Sequence, residues 1–371
     1  MTDLWRLLAR AVALGASDLH LTCGLPPQVR VHGRLAPLLD EAPPPAPGGV
    51  EALFGEVLTP RQRAALEVER SVDLALVLDR ARGGDGQRFR VNLFASSGQV
   101  AAAVRRLDDR LRGFDELRLP PQLARLADLE DGLVLLVGPT GSGKTTTLAA
   151  IIDKINREEA CHVVTLEDPI EYVHESRRAL VHQRELHADF DRFSRALRAA
   201  LREDPDVILV GEMRDVATMR AALMAAETGH LVLSTLHSGS AIGATERLIG
   251  AFRGDERDSI RYQLSLVLRC VVAQRLLPLA EGGGRFPATE VLWITPAVAN
   301  LIRAGKTAQI QAAVEGQAAQ GMLTLEQSLA EAVQRGWVTE AAAQAAARDP
   351  GAFAERLRHA RGGAFTRLSA R

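Results

Sequence analysis

The segment at residues 138–156, GPTGSGKTTTLAAIIDKIN, constrains this chain more than any other stretch. It fits G-x-x-x-x-G-K-[ST], with Gly138, Gly143, Lys144 and Thr145 at the fixed positions. An apolar run, residues 133–137, precedes it and reads as a buried strand. Leu148, Ile151, Ile152 and Ile155 follow at i, i+3, i+4 and i+7, the spacing of an amphipathic helix. A strand, a glycine-rich loop and a helix in that order form a phosphate cradle: backbone N–H groups turn inward at a helix N-terminus already favourable to anions. Gly138, Pro139, Thr140, Gly141, Ser142, Gly143, Lys144, Thr145 and Thr146 are the expected nucleotide-binding residues. Lys144 is expected to reach the β- and γ-phosphates, and the Thr145 hydroxyl to ligate magnesium. ATP and Mg are thus the implied cofactors, and an α/β fold is required.

Around this loop the chain divides by the texture of its apolar residues. Residues 1–107 carry alternating strands, SDLHLT, QVRVHGRL (28–35), VDLALVLD, QRFRVNLFA and QVAAAVRRL (99–107), with a helix at 3–14 and helical character at 49–70. Phe89, Val91 and Leu93 alternate with Arg88, Arg90 and Asn92, which predicts an antiparallel sheet in an α+β domain. Residues 43–49 read as loop, and the charged stretch 108–118 as the interdomain linker. From 119 the apolar runs become short and continuous: HVVTLED, DVILVGE and HLVLSTLHS, separated by helical patterns at 189–203 and 214–228. Strands covered on both faces read that way, so residues 119–371 are expected to hold a parallel α/β nucleotide-binding domain. Beyond about 256 the pattern reads as mostly helical, with FPATEVLWI a strand and the basic tail from 347 frayed.

Ligands of open α/β sheets bind beyond the carboxyl ends of the strands. Four features fall there: the loop after Val137, Glu167, Glu212 and His237. Glu212, just past a buried strand, is the expected carboxylate that polarises the attacking water. The acid that commonly ends such a strand is replaced by Gly211, so magnesium must lean on Thr145, water and Glu167. His237 is placed to sense the γ-phosphate or orient Glu212, and His230 marks the other end of the same strand. Arg192, Arg195, Arg198 and Arg202 recur at helical spacing; Arg90, Arg105 and Arg106 lie on strands of the first domain. Arginines supplied across a subunit interface stabilise transferring phosphate, so these are candidates if the protein assembles as a ring.

GPTGSGKTTTLA, VVTLEDPIEYVHES, ALRAALREDPDVILVGEMRD and AAETGHLVLSTLHS resemble the Walker A, Asp box, Walker B and His box of the secretion and type IV pilus ATPases. ASDLHLTCGLPPQVRVHGRL, RFRVNLF and GMLTLEQSL extend the likeness over nearly the whole chain, which is most similar to the PilT family of pilus retraction (twitching motility) ATPases. The resemblance implies a PAS-like first domain, a RecA-like second domain with a helical C-terminal region, and a homohexamer. It also implies a cytoplasmic motor that turns a platform protein in the inner membrane and meets the membrane only through that partner. Glu212 matches the catalytic glutamate, Glu167 the Asp-box acid, His230 and His237 the His box, and Arg90 and Arg105 the arginines that approach nucleotide. One segment departs: AVANLIRA at 297–304 stands where the retraction subgroup has AIRNLIRE, with Ala299 and Ala304 replacing its arginine and glutamate.

Three widely spaced cysteines, Cys23, Cys161 and Cys270, make neither a disulfide framework nor a four-cysteine zinc site. That favours the retraction branch over the assembly or secretion ATPases, which stay an alternative alongside an accessory retraction paralogue. A formal net charge of −1 and few aromatics argue against a nucleic-acid motor. The N-terminus lacks a signal layout, and no apolar run reaches the roughly 20 residues of a bilayer span.

Overall fold

The computed structural model describes residues 3–31, 33–38, 45–107, 110–317 and 320–368, with side chains to 359. The chain forms two compact units, Met1–Arg110 and Leu111–Arg371. The division falls within the stretch read as linker, whose residues 108 and 109 lie outside the described residues, as do 43 and 44 of the 43–49 loop. Phe114 and Leu117 already pack against the core of the second unit.

The first unit runs α1 (Leu4–Ala13), β1 (Asp18–Leu21), β2 (Gln28–Val31), β3 (Arg34–Pro37), α2 (Gly49–Phe54), α3 (Pro60–Glu69), β4 (Ser71–Leu78), β5 (Gln87–Ser96) and β6 (Gln99–Arg106). Asp3 caps α1 by accepting from Trp5 N, and Leu4, Leu7, Leu8 and Ala11 turn one face inward. Thr59 and Gln62 form a capping box at α3, with Pro60 in its first turn. The sheet order is β3-β2-β1-β6-β5-β4, every pair antiparallel. The single strand expected over 28–35 is instead a hairpin, with Val31 paired to Arg34. Phe89, Val91 and Leu93 are buried against the helices, as strand alternation requires.

The second unit continues β7 (Gly132–Val137), α4 (Lys144–Glu158), β8 (His162–Glu167), β9 (Leu180–Glu185), α5 (Phe193–Ala200), β10 (Val207–Val210), α6 (Val216–Glu227), β11 (Leu231–Leu236), α7 (Ala241–Gly250) and α8 (Arg257–Val267). It closes with β12 (Leu268–Pro278), β13 (Arg285–Trp293), α9 (Pro296–Arg303), α10 (Ile310–Gly316), α11 (Leu325–Gln334), α12 (Glu340–Ala346) and α13 (Pro350–Leu368). The sheet order is β13-β12-β7-β11-β10-β8-β9, parallel throughout except for β13. Every residue of β7, β10 and β11 is buried, which explains their unbroken apolar runs.

Three expectations need correction here. The stretch after α8 is not helical: β12 runs eleven residues and pairs with β7 on one side and β13 on the other. The tail is not frayed over 350–359, because Phe353 and Leu357 are buried in a separate apolar cluster with Leu325, Leu329 and Val338. The arginine row does not lie along one helix, since α5 spans only Phe193–Ala200 and leaves Arg192 at its N-cap and Arg202 beyond its end.

Candidate nucleotide site

The loop after β7 is shaped by its glycines. Gly143 has φ +84°, and a Cβ there would lie 2.8 Å from Gln274 Nε2. A Cβ on Gly138 would fall 2.4 Å from the Gln274 carbonyl oxygen and 2.5 Å from Ser142 Oγ. Only glycine permits that conformation and that approach. Ser142 Oγ is buried without a protein hydrogen-bond partner. The Lys144 ammonium hooks back over the loop, donating to the Gly138 and Pro139 carbonyls at 3.0 Å each. Half-burial pulls this ammonium below the ordinary lysine range, opposed by the charges of Glu212 and Glu171. Thr145 and Thr146 lie in the first turn of α4, where Thr146 Oγ1 shares a hydrogen bond with the Tyr172 hydroxyl at 2.9 Å.

The strand register brings the other groups to the same edge. Leu236 pairs with Val137, and Val210 pairs with both Ser234 and Leu166, so the segments leaving these strands emerge side by side. The turn carrying Glu212 is pinned from both neighbours: Gly211 N donates to Leu166 O at 2.8 Å, and Met213 N to Thr235 O at 3.2 Å. A Cβ on Gly211 would sit 3.2 Å from Leu166 O, so a side chain would crowd β8. Glu212 Oε1 lies 3.0 Å from His237 Nε2, and Arg214 Nε donates to Glu212 Oε2 at 2.9 Å. A carboxylate held at both oxygens has a fixed direction and can orient a water. Glu167 is almost wholly buried, and its Oε1 accepts from Thr165 Oγ1 at 2.7 Å and Gln183 Nε2 at 3.0 Å. Burial raises this carboxyl despite those two bonds.

A cleft of about 820 Å³ opens over the loop, walled by residues 138–142, His237–Gly239, Gly243, Arg247, Arg275–Leu277, Arg285 and Ala346. The fit to a nucleoside triphosphate rests on the glycine-shaped cradle, the unpartnered Ser142 hydroxyl and a cation-lined wall. Among the described residues no group of three or more His, Cys, Asp or Glu side chains could itself hold a metal ion. Thr145, Glu167 and Glu212 supply only oxygen donors, the chemistry that suits magnesium shared with phosphates.

A model of the type II/IV secretion system proteins matches residues 83–348. The type IV pilus retractation ATPase PilT of Pseudomonas aeruginosa is 43% identical over 351 residues, 95% of this chain and 100% of that protein. A twitching motility protein of Neisseria gonorrhoeae is 41% identical over 318 residues, covering 86% of this chain and 83% of its own. This chain belongs to the PilT family of secretion ATPases. A crystal structure of the pilus retraction motor PilT with bound ADP superposes with a TM-score of 0.86 at 42% identity, over 94% of this chain and 98% of that one. The fold is therefore that of the PilT ATPases: an N-terminal domain followed by a RecA-like domain, built for ATP hydrolysis.

Within this PilT-family fold the expected residues are spread over both units. His230 precedes β11, where its carbonyl accepts from Gly132 N at 3.1 Å, so it stands at the opposite end of the strand from His237. Arg90 and Arg105 are cross-strand partners in the first unit, a separate body from the one holding the loop. Arg90 lies 3.6 Å from Asp73, and Arg105 Nε 2.9 Å from Asp18. Burial alone would raise the Asp18 carboxyl, but the Arg105 and Ser17 hydrogen bonds hold it below its usual value. Sequence reasoning missed Arg214, two residues beyond Glu212, and Gln274, which is buried under the loop. Gln274 Oε1 accepts from Thr147 Oγ1 at 2.8 Å, and its Nε2 donates to Ser142 O at 2.7 Å. It also missed Arg247 on α7, and Arg275 and Arg285, which arrive on β12, the strand paired with β7, and on β13 beyond it.

Proposed function

We propose that this protein is an ATP-driven motor that retracts a type IV pilus. The observation that carries the reading is Glu212, fixed between His237 and Arg214 and close enough for its charge to act on Lys144. ATP binds at residues 138–146, where the Thr145 hydroxyl would hold Mg, and Mg would supply neutralisation of phosphate charge. Glu212 orients the attacking water, His237 holds Glu212, and Glu167 completes the carboxylate side of the site. The chain works as a homohexameric ring in which Arg90 and Arg105 serve as phosphate-facing arginines. The ring acts at the cytoplasmic face of the inner membrane on a pilus platform protein, without nucleic acid. Among the described residues no helix is long and apolar enough to cross a membrane.

In vitro, Lys144→Ala should lose nucleotide binding, whereas Glu212→Ala should keep binding and lose turnover; substantial turnover in the latter would remove Glu212 from its role. In cells, deletion should leave excess surface pili and abolish twitching, with rescue by wild type and not by Glu212→Ala. A second reading, an accessory retraction paralogue, is favoured by α9. There Val298 and Ile302 face the core, while Ala304 is exposed and Ala299 half-buried in place of charged side chains. Unchanged pili on deletion would support it, and loss of pili would move the protein to the assembly branch.

A further inference from the structure

The C-terminal helices reach the nucleotide cleft through Ala346 at the end of α12, and residues 347–349 join α12 to α13. Ala346 lines the cleft, and its carbonyl accepts from Arg275 Nη1 at 3.1 Å. The backbone N–H groups of Arg348 and Asp349 donate to Glu326 Oε1 on α11, at 3.1 and 3.2 Å. The Arg348 guanidinium pairs with Glu290 Oε2, a β13 carboxylate only 2% exposed. That same oxygen accepts from Ala241 N, the first residue of α7, at 3.2 Å.

From α7 the contacts continue into the site. Arg247 Nη1 donates to His237 O at 2.7 Å, and His237 Nε2 lies 3.0 Å from Glu212 Oε1. The first turn of α7 is also tight against the loop that carries His237: a Cβ on Gly243 would fall 2.8 Å from Ser240 Oγ and 3.1 Å from Ser238 Oγ. A displaced α7 therefore carries His237 with it. None of the groups that shape the phosphate cradle, Lys144, Ser142 or Gln274, takes part in this chain of contacts.

We propose that Arg348 is a positioning residue for ATP hydrolysis, acting through Glu290 and α7 to hold His237 against Glu212. The proposal rests on the reading of Glu212 as the hydrolytic carboxylate. It makes the α12–α13 connection a strap that sets turnover without setting affinity.

The test uses the full-length protein, with steady-state ATPase kinetics and direct binding of a fluorescent ATP analogue. Arg348→Ala should lower kcat by about ten-fold or more, since small misplacements remote from the chemistry have effects of that order, with the analogue's Kd changed by less than about two-fold. Arg348→Lys should recover most of the loss. Because Arg348→Ala leaves Glu290 buried without its cation, the double variant Glu290→Gln/Arg348→Met serves as a folded control. It keeps an oxygen for Ala241 N, has no unpaired buried charge, and should show the same selective fall in kcat. Wild-type kcat in the double variant, or parallel changes in kcat and Kd, would overturn the proposal. Glu212→Gln separates the two ideas. If it abolishes turnover while Arg348→Ala and the double variant behave as wild type, the strap proposal alone fails; if it retains turnover, the reading of the site fails first.

Discussion

Gln274→Glu replaces one amide nitrogen by oxygen beneath the phosphate loop and creates no cavity. One carboxylate oxygen can still accept from Thr147, but the other then faces the Ser142 carbonyl, 2.7 Å from the present nitrogen, with no proton between them. Protonating the introduced carboxyl restores the donor. The site is 2% exposed, and burial of that degree raises a carboxyl by about 3 units, from about 4.3 to roughly 7. A folded-state pKa above the unfolded one means that stability is lost as pH rises between the two. At about 1.36 kcal/mol per unit, the penalty is roughly 1.6 kcal/mol at about pH 5.5 and roughly 4 kcal/mol at about pH 8. Urea unfolding at the two pH values, in a Trp5→Phe background so that Trp293 and Trp337 report on the second unit, measures the difference. ATP-analogue binding should weaken in the same direction, because the Ser142 carbonyl loses its anchor. A penalty equal at both pH values, or larger at the acidic one, would refute the claim that the Gln274 amide donor holds the loop.

Two further outcomes follow from buried groups. Glu167 has its carboxyl raised chiefly by burial above the ordinary 4.5, so stability falls as pH rises from there to the raised value. The Thr165 and Gln183 hydrogen bonds both end on Oε1, which glutamine retains, so Glu167→Gln should stay folded and show a smaller loss of thermal midpoint between about pH 5 and about pH 8; an unchanged pH slope would contradict this. Phe353→Ala empties the centre of the C-terminal cluster and should cost about 3–5 kcal/mol, read as faster hydrogen exchange across α11–α13 while β7 and β11 stay protected.

What could be read from the sequence was local. β7, the loop and α4 are adjacent in the chain, and their patterns carry their own boundaries. β12 was illegible because α8 passes into it at Val267–Leu268 without a glycine or proline; only pairing with β7 and β13 ends the helix there. β9 was missed because LVHQRE is a sheet-edge strand with exposed positions and no apolar run. In α13, two buried residues four apart, Phe353 and Leu357, were hidden in an Ala/Gly/Arg-rich background. At the site, Glu212 and His237 were visible as residues following buried strands. Gln274 and Arg275 were not, because they arrive on a strand more than a hundred positions along the chain.

That placement of β7 bears on how the protein is made. Its two sheet neighbours are β11 and β12, and the cleft wall at Ala346 comes later still. A nascent chain that has already emitted the phosphate loop must hold a wholly apolar strand with one edge unpaired until residue 268 and beyond leave the ribosome. Pairings this distant in sequence form slowly and leave an edge open to wrong partners. The nucleotide therefore cannot act as an early folding ligand. The full cleft exists only once Ala346 has been made, and chaperone demand should peak while β7 waits for β12.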